Sequence, residues 1–365
     1  MTQRRIRAVF MRGGTSRALF FHEEDLPHPG PARDRILLAA LGSPDPYGRQ
    51  LDGLGGGLSS LSKACIIGPP TLAGAHVDYT FAQVDVRTAV VDYRGNCGNC
   101  SSAVGPFAID EKLVPVTDGE TVVRIHNTNT RKLIVAHVPV RDGEALVEGD
   151  FELAGVAGRG ARIALDFLDP GGAGTGQLLP TGRAREVVGG VEASLVDATN
   201  AMVFVRARDV GLTGAELPAA IDENRGLSAR LEAIRAEAAT RMGIPGSDAV
   251  PKIALVAPAA PFTALDGTRL EADRVDVLAR VISMGNCHRA FALTAAMCLA
   301  VAARLPGTVV HECAREGSSD LRLGHPSGVL PIAASVVTRE GRPQAERITV
   351  YRTARRLMEG SIRVP

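Results

Sequence analysis

Apolar and polar positions along this chain predict short strands followed by a helix, and they do so twice. In the first half, Ala8-Val9-Phe10-Met11 predicts a strand, Arg12-Gly13-Gly14-Thr15-Ser16 a turn, and Ala18-Leu19-Phe20-Phe21 a second strand. Asp25-Leu26 then leads to a helical stretch from Pro31 to Leu41. In the second half, Ala193-Ser194-Leu195-Val196 and Met202-Val203-Phe204-Val205 flank the turn Asp197-Ala198-Thr199-Asn200. Asp209-Val210 follows, and then a strongly helical run from Ser228 to Met242.

The parallel order continues. Ser62-Lys63-Ala64-Cys65-Ile66-Ile67-Gly68-Pro69 and Pro251-Lys252-Ile253-Ala254-Leu255-Val256-Ala257-Pro258 each place a lysine at the start of an apolar strand that a proline ends. Alternating strand patterns follow, Val77 to Tyr93 in one half and the shorter Val275 to Met284 in the other. Finally Cys97-Gly98-Asn99-Cys100 matches Met284-Gly285-Asn286-Cys287, each expected to open an apolar helix, about Ser101 to Ile109 and His288 to Leu305. Pro106 weakens the first of these helices. A duplicated α+β domain explains the shared order; two ordinary α+β domains that share it by accident are the alternative. If a pseudo-two-fold axis relates the halves, the two Gly-Asn turns face one another. Each helix N-terminus then offers backbone amides to a ligand with carboxylates at both ends.

Size and composition fit this reading. At 365 residues the chain exceeds the usual single domain, and with no Trp and few aromatics its core must be built from aliphatic side chains. Lys plus Arg number 41 against 40 Asp plus Glu, a balance with no field for nucleic acid or an anionic membrane. No apolar run approaches the roughly 20 residues of a membrane span. The basic N-terminus, Met1 to Arg7, has no signal-peptide apolar core behind it. Six irregularly spaced cysteines read as reduced thiols in a cytoplasmic protein.

Two residues stand out chemically. Cys97 lies at a helix N-terminus, which favours thiolate provided the sulfur is not sealed in apolar surroundings; the plainer reading is a small apolar filler. Cys65, Cys298 and Cys313 lack that context and read as packing residues. Lys63 enters a buried strand, so its amine either snorkels to solvent or lines a cleft. The matching lysine upstream of the other Gly-Asn turn, Lys252, favours the cleft for Lys63, while Lys252 itself suits a structural or carboxylate-pairing role. Cys97 and Cys100 could instead be half a zinc site completed by His311-Glu312-Cys313 or Cys287-His288, but no second clean pair accompanies them. The glycine-rich stretches at 12–16 and 52–57 lack phosphate-loop endings and read equally as anion nests or plain turns. His325-Pro326-Ser327-Gly328 reads as a turn.

At these residues the chain resembles the PrpF family, which includes methylaconitate, methylitaconate and oxalomesaconate isomerases within the diaminopimelate-epimerase-like fold. The resemblance rests on Met11 to Ser16, Ser59 to Lys63, Gly95 to Asn99, Leu178-Leu179-Pro180-Thr181-Gly182, Ser283-Met284-Gly285 with His288, and His325 to Gly328. It implies two pseudo-symmetric α+β domains, each a mixed, largely antiparallel sheet curled around a central helix. The expected domains are 1–185, completed by 346–365, and 186–345, with the site in the cleft between them. It further implies an allylic proton shift or cis-trans isomerisation of a small di- or tricarboxylate, with no metal and no organic cofactor, and a homodimer is compatible with it. Lys63 and Cys97 take the acid and base roles. Arg12, Thr15, Ser16, Ser62, Gly98, Asn99, Met284, Gly285, His325 and Ser327 are the expected substrate contacts. Two departures matter. Epimerases of this fold oppose two thiols, and Met284 at the second position cannot carry a proton, which disfavours the alternative of racemisation. Arg17 stands where a lysine is expected after Gly-Gly-Thr-Ser.

Overall fold

The computed structural model describes residues 3–93, 95–244, 250–283, 285–317 and 320–365. The chain is mixed α/β, mostly sheet with few helices, and divides into two compact units. One comprises Met1–Asp166 with Tyr351–Pro365, the other Phe167–Val350. The division thus falls ahead of the boundary at 185/186 read from the sequence. Residues beyond Asp166 join the second unit because their loop is tied to Asp197: the Gly174 and Thr175 amides donate to its carboxylate, and Gly172 donates to its carbonyl.

In the first unit, β1 (Arg4–Gly13) and β2 (Ser16–His22) form a tight antiparallel hairpin, with Gly13 opposite Ser16. β3 (Lys63–Gly68) runs parallel to β2, and β4 (Val77–Val84) antiparallel to β3 with Gln83 opposite Lys63. β5 (Gly119–Asn127) pairs parallel with β4, and β6 (Lys132–Arg141) antiparallel with β5. The C-terminal strand Ala354–Val364 pairs with the other edge of β1, from Arg4 opposite Val364 to Gly13 opposite Ala354. Alternation along the strands sorts side chains between two layers. Leu19, Phe21, Ala64 and Ile66 face α1 (Pro31–Leu41) through Ile36, Leu37, Ala40 and Leu41. The intervening Phe20 faces α2 (Gly98–Asp110), its ring 5.5 Å from that of Phe107. α2 is buried from Gly98 to Ile109 apart from Asn99 and touches β1, β2, β5, β6 and the C-terminal strand. Gly105 permits that enclosure, since a Cβ there would lie 2.7 Å from Val138. Pro106 sits inside α2 without ending it.

In the second unit, β7 (Val191–Ala198) and β8 (Asn200–Arg206) form a hairpin, and α3 (Arg225–Arg241) follows. β9 (Lys252–Pro258) runs parallel to β8, and β10 (Val277–Ser283) antiparallel to β9. β11 (Asn286–Cys287) folds back on β10, with Asn286 opposite Ser283. α4 (Leu293–Ala302) is almost wholly buried. β12 (Asp320–His325) is parallel to β10, and β13 (Gly328–Arg339) antiparallel to β12. Val203, Val205, Ile253 and Leu255 pack with Leu231, Ile234 and Ala238 of α3. One expectation is corrected here. The second Gly-Asn segment does not open a helix: Asn286-Cys287 continues the sheet as a hairpin arm, and α4 begins only at Leu293.

Candidate active site

The period of two along β3 decides where Lys63 goes. Ala64 and Ile66 are committed to the α1 layer, so Lys63 and Cys65 point to the α2 side. Lys63 is only 8% exposed. Its amine donates to Gln83 Oε1 directly across the β3–β4 ladder and lies 4.9 Å from the centre of the Phe81 ring. Gln83 is itself anchored, its amide donating to the carbonyls of Ser59 (3.0 Å) and Ser62 (2.9 Å). Ser62 Oγ accepts from Gln50 at 2.7 Å.

α2 starts at Cys97, whose sulfur accepts the Cys100 amide at 3.4 Å in the manner of a capping side chain. Cys97 is half-buried and 4.0 Å from Ser16 Oγ. Contact with the Cys100 thiol and burial push the Cys97 thiol well above its ordinary value, while the charge of Lys63 and the Cys100 amide pull it down. The proviso about apolar sealing therefore governs: these surroundings favour the protonated thiol over the thiolate. Cys100 is likewise pushed up, chiefly by burial, and Lys63 acts on it in the same opposing sense. The lysine and both thiols thus form one electrostatic cluster.

Asn99, in the first turn of α2, ties that turn to two other segments. Its Nδ2 donates to Thr15 Oγ1 at 3.0 Å, and its Oδ1 accepts from Arg352 Nε at 3.1 Å. Gly13 and Gly14 lie against this turn. A Cβ on Gly13 would sit 2.5 Å from the Asn99 carbonyl oxygen, and one on Gly14, whose φ is +51°, would sit 2.3 Å from Asn99 Oδ1. Arg12 Nη1 donates to the carbonyls of Gly14 (3.0 Å) and Thr353 (2.9 Å). Burial and the nearby Arg355 charge lower the Arg12 pKa. Among the described residues, none of Arg12, Lys63 and Arg352 forms an ion pair with a carboxylate. Arg12 and Arg352, partly and wholly buried with no carboxylate partner among the described residues, are expensive unless an anion visits them.

Of the residues singled out in the sequence, Arg12, Thr15, Ser16, Ser62, Lys63, Cys97, Gly98 and Asn99 all lie in the first unit, around the β1–β2 turn, β3 and the start of α2. Gly285, His325 and Ser327 lie in the second unit. Gly285 (φ +77°) is in the β10–β11 turn, and Met284 lies outside the described residues. His325-Pro326-Ser327-Gly328 turns β12 into β13; the Ser327 amide donates to His325 Nδ1 (3.2 Å) and Ser327 Oγ to the Arg289 carbonyl (2.7 Å). Lys252 opens β9, where burial and Arg235 lower its pKa, and its charge reaches His288. The loop at 52–57 is a turn rather than a nest: Gly53, Gly55 and Gly57 amides are taken by Gln50, Leu41 and the Gln50 side chain. Sequence reasoning missed Gln83, Gln50 and Arg352. Only the strand register and the return of the C-terminal segment bring them in.

A buried lysine, a thiol at a helix N-terminus and two arginines with no carboxylate partner among the described residues make a group suited to an anionic ligand. The fold belongs with proline-racemase and epimerase-like enzymes: a hydroxyproline epimerase from Agrobacterium vitis superposes with a TM-score of 0.54 at 14% identity, over 99% of this chain and 92% of that one. The chain itself belongs to the PrpF family, whose description, PrpF protein, matches residues 3–365, and it is an isomerase. It is 44% identical to the 3-methylitaconate isomerase of Eubacterium barkeri, over 99% of this chain and 98% of the relative. It is 40% identical to the 2-methyl-aconitate isomerase of Shewanella oneidensis, over 100% and 98%. The crystal structure of a methylitaconate-delta-isomerase matches with a TM-score of 0.89 at 43% identity, over 100% of this chain and 96% of that one.

Proposed function

We propose that this chain moves a proton, and with it a carbon–carbon double bond, within a small unsaturated di- or tricarboxylate, using Lys63 and Cys97. The observation that carries the reading is that Arg12 and Arg352, with no carboxylate partner among the described residues, are gathered with Lys63 around the Cys97 thiol. Carboxylates supply the missing countercharge. An allylic shift needs a group that accepts a proton from one carbon, a group that returns one two bonds away, and donors for the enolate-like carboxylate between them. A thiol that rests protonated enters as the donor, which leaves Lys63 as the acceptor, in its neutral amine form, and leaves Arg12 and Arg352 to answer the substrate's charge. The Gly98 and Asn99 amides at the start of α2, with Thr15 and Ser16, face the developing negative charge. No step calls for a cofactor. The names of the relatives support the substrate class, and which member the chain takes is a matter of pocket shape at the level of a methyl or oxo group.

We further infer that the two units descend from one duplicated ancestor. What supports this is a shared pairing order: an antiparallel hairpin, a parallel strand opened by a lysine, an antiparallel partner, then a parallel strand and its hairpin.

The test is turnover of a panel of unsaturated di- and tricarboxylates, followed by ultraviolet absorbance and by proton NMR in deuterated water. The expected result is a shifted double bond with deuterium at the carbon that gains the proton. Absence of turnover across the panel, or near-wild-type turnover in both Lys63→Ala and Cys97→Ala, overturns it.

A further inference from the structure

We propose that Arg352 is a positioning residue for Cys97: its guanidinium locks the first turn of α2 through Asn99 and supplies the standing positive charge against which the Cys97 thiolate forms. The proposal rests on the assignment of Cys97 as proton donor.

Arg352 is 3% exposed, with Nε on Asn99 Oδ1 (3.1 Å) and Nη1 on the Tyr351 carbonyl (2.7 Å). Both partners are neutral oxygens, and among the described residues no carboxylate pairs with it, whereas a buried guanidinium ordinarily has one beside it. Its place is fixed from three sides. Asn99 is held in turn by Thr15, a Cβ on Gly14 would approach Arg352 Cδ to 3.0 Å, and the Thr353 carbonyl just beyond accepts from both Gly14 N (2.9 Å) and Arg12. The C-terminal segment thus clasps the turn that carries the thiol.

The charge matters during the reaction. When Cys97 gives up its proton, the S–H bond breaks, a C–H bond forms on the substrate, and the electron pair stays on sulfur. That thiolate arises beside Cys100 on its own helix, Tyr79 on β4, Ser16 on β2, Lys63 on β3 and Arg352. Of these, only Lys63 and Arg352 bring positive charge. Lys63 changes its protonation during turnover, whereas Arg352 does not: burial lowers its pKa to about 10, still above neutral pH, and the Cys97 charge opposes that lowering.

The experiment is the pH dependence of Cys97 alkylation by iodoacetamide, read on the Cys97 peptide by mass spectrometry in wild type, Arg352→Gln and Arg352→Lys. It requires no turnover, so it can fail while Cys97 catalysis stands, and the reverse. In Arg352→Gln the profile is expected to move up by about one pH unit or more, which is about tenfold slower alkylation at a given lower pH. Arg352→Lys, which keeps the charge, is expected to recover most of that loss. A profile in folded Arg352→Gln that coincides with wild type overturns the proposal. If Arg352→Gln does not fold, Asn99→Ala decides: it releases Nε from its anchor and is expected to shift the profile in the same direction, and an unmoved profile there also overturns the proposal.

Discussion

The Cys100 amide donates to the Cys97 sulfur, so the thiol proposed as proton donor is also the cap of α2. The two roles separate on substitution. Cys97→Ser keeps an acceptor for the amide and is expected to unfold at nearly the wild-type temperature. Cys97→Ala loses the cap and about 1 kcal/mol of stability. Both are expected to lower kcat by at least about 10²-fold, because neither carries a proton of suitable acidity. Thermal unfolding followed by circular dichroism, beside the ultraviolet assay, tells the roles apart. Near-wild-type turnover in Cys97→Ser would remove the thiol from the chemistry.

Gln83 is the acceptor that aims Lys63, and the Ser59 and Ser62 carbonyls hold it in place. Gln83→Leu keeps the volume and removes both functions. The Lys63 amine then loses its partner across the β3–β4 ladder. The expected outcome is a fall in kcat of about tenfold or more with a much smaller change in KM, the pattern of a misplaced acid–base group. Steady-state kinetics with the best substrate of the panel check it, and an unchanged kcat would mean that the aim of Lys63 does not depend on this contact.

Gly14 combines a positive φ with a 2.3 Å approach of its absent Cβ to Asn99 Oδ1. Gly14→Ala therefore strains the backbone and pushes Asn99 off Arg352. A loss of about 1–3 kcal/mol is expected in urea unfolding, together with a fall in kcat that Gly267→Ala, at a positive-φ glycine away from the site where a Cβ meets nothing within 4 Å, does not share. Matching activities in the two variants would show that the contact of the Gly13-Gly14 turn with α2 is dispensable.

The strands and the first-unit site residues were legible because their signals are local. Alternation fixes which face of β3 carries Lys63, and a Cys-Gly-Asn sequence ahead of an apolar run marks the start of α2. The start of α4 was not legible. Met284-Gly285-Asn286-Cys287 matches its counterpart at three of four positions, yet Cys287 is drawn into the sheet opposite Ile282, and its amide is taken by Asp222 at 2.7 Å. Asp222 is distant in sequence, and tertiary pairing overrides a local pattern. Arg352 escaped although 346–365 was expected to complete the first domain, since nothing near position 352 announces that its guanidinium is set against Asn99. The surroundings of Cys97 were the third gap: a helix N-terminus argues for thiolate, whereas the Cys100 contact and then burial favour the protonated thiol.

Buried thiols make stability fall in alkali, and Cys287 gives the effect a window. Burial pushes its thiol from 9.0 up to about 12, partly opposed by the charge of Arg280. Below pH 9 the thiol is protonated in both folded and unfolded chains, and its contribution is fully present. Between about pH 9 and 12 the unfolded chain releases the proton while the folded chain keeps it, so the unfolded state binds fewer protons and stability declines as pH rises. The ceiling on the slope is about 1.4 kcal/mol per pH unit for each such thiol. Cys298 and Cys100, pushed up mainly by burial, act in the same sense. Cys287→Ala removes one thiol from the set. Its Tm is expected to start lower at neutral pH, because a packed side chain is gone, and then to fall less steeply than wild type from about pH 9 to 10.5. Parallel Tm curves for the two proteins across that range would mean that Cys287 ionises in the folded chain as readily as in the unfolded one.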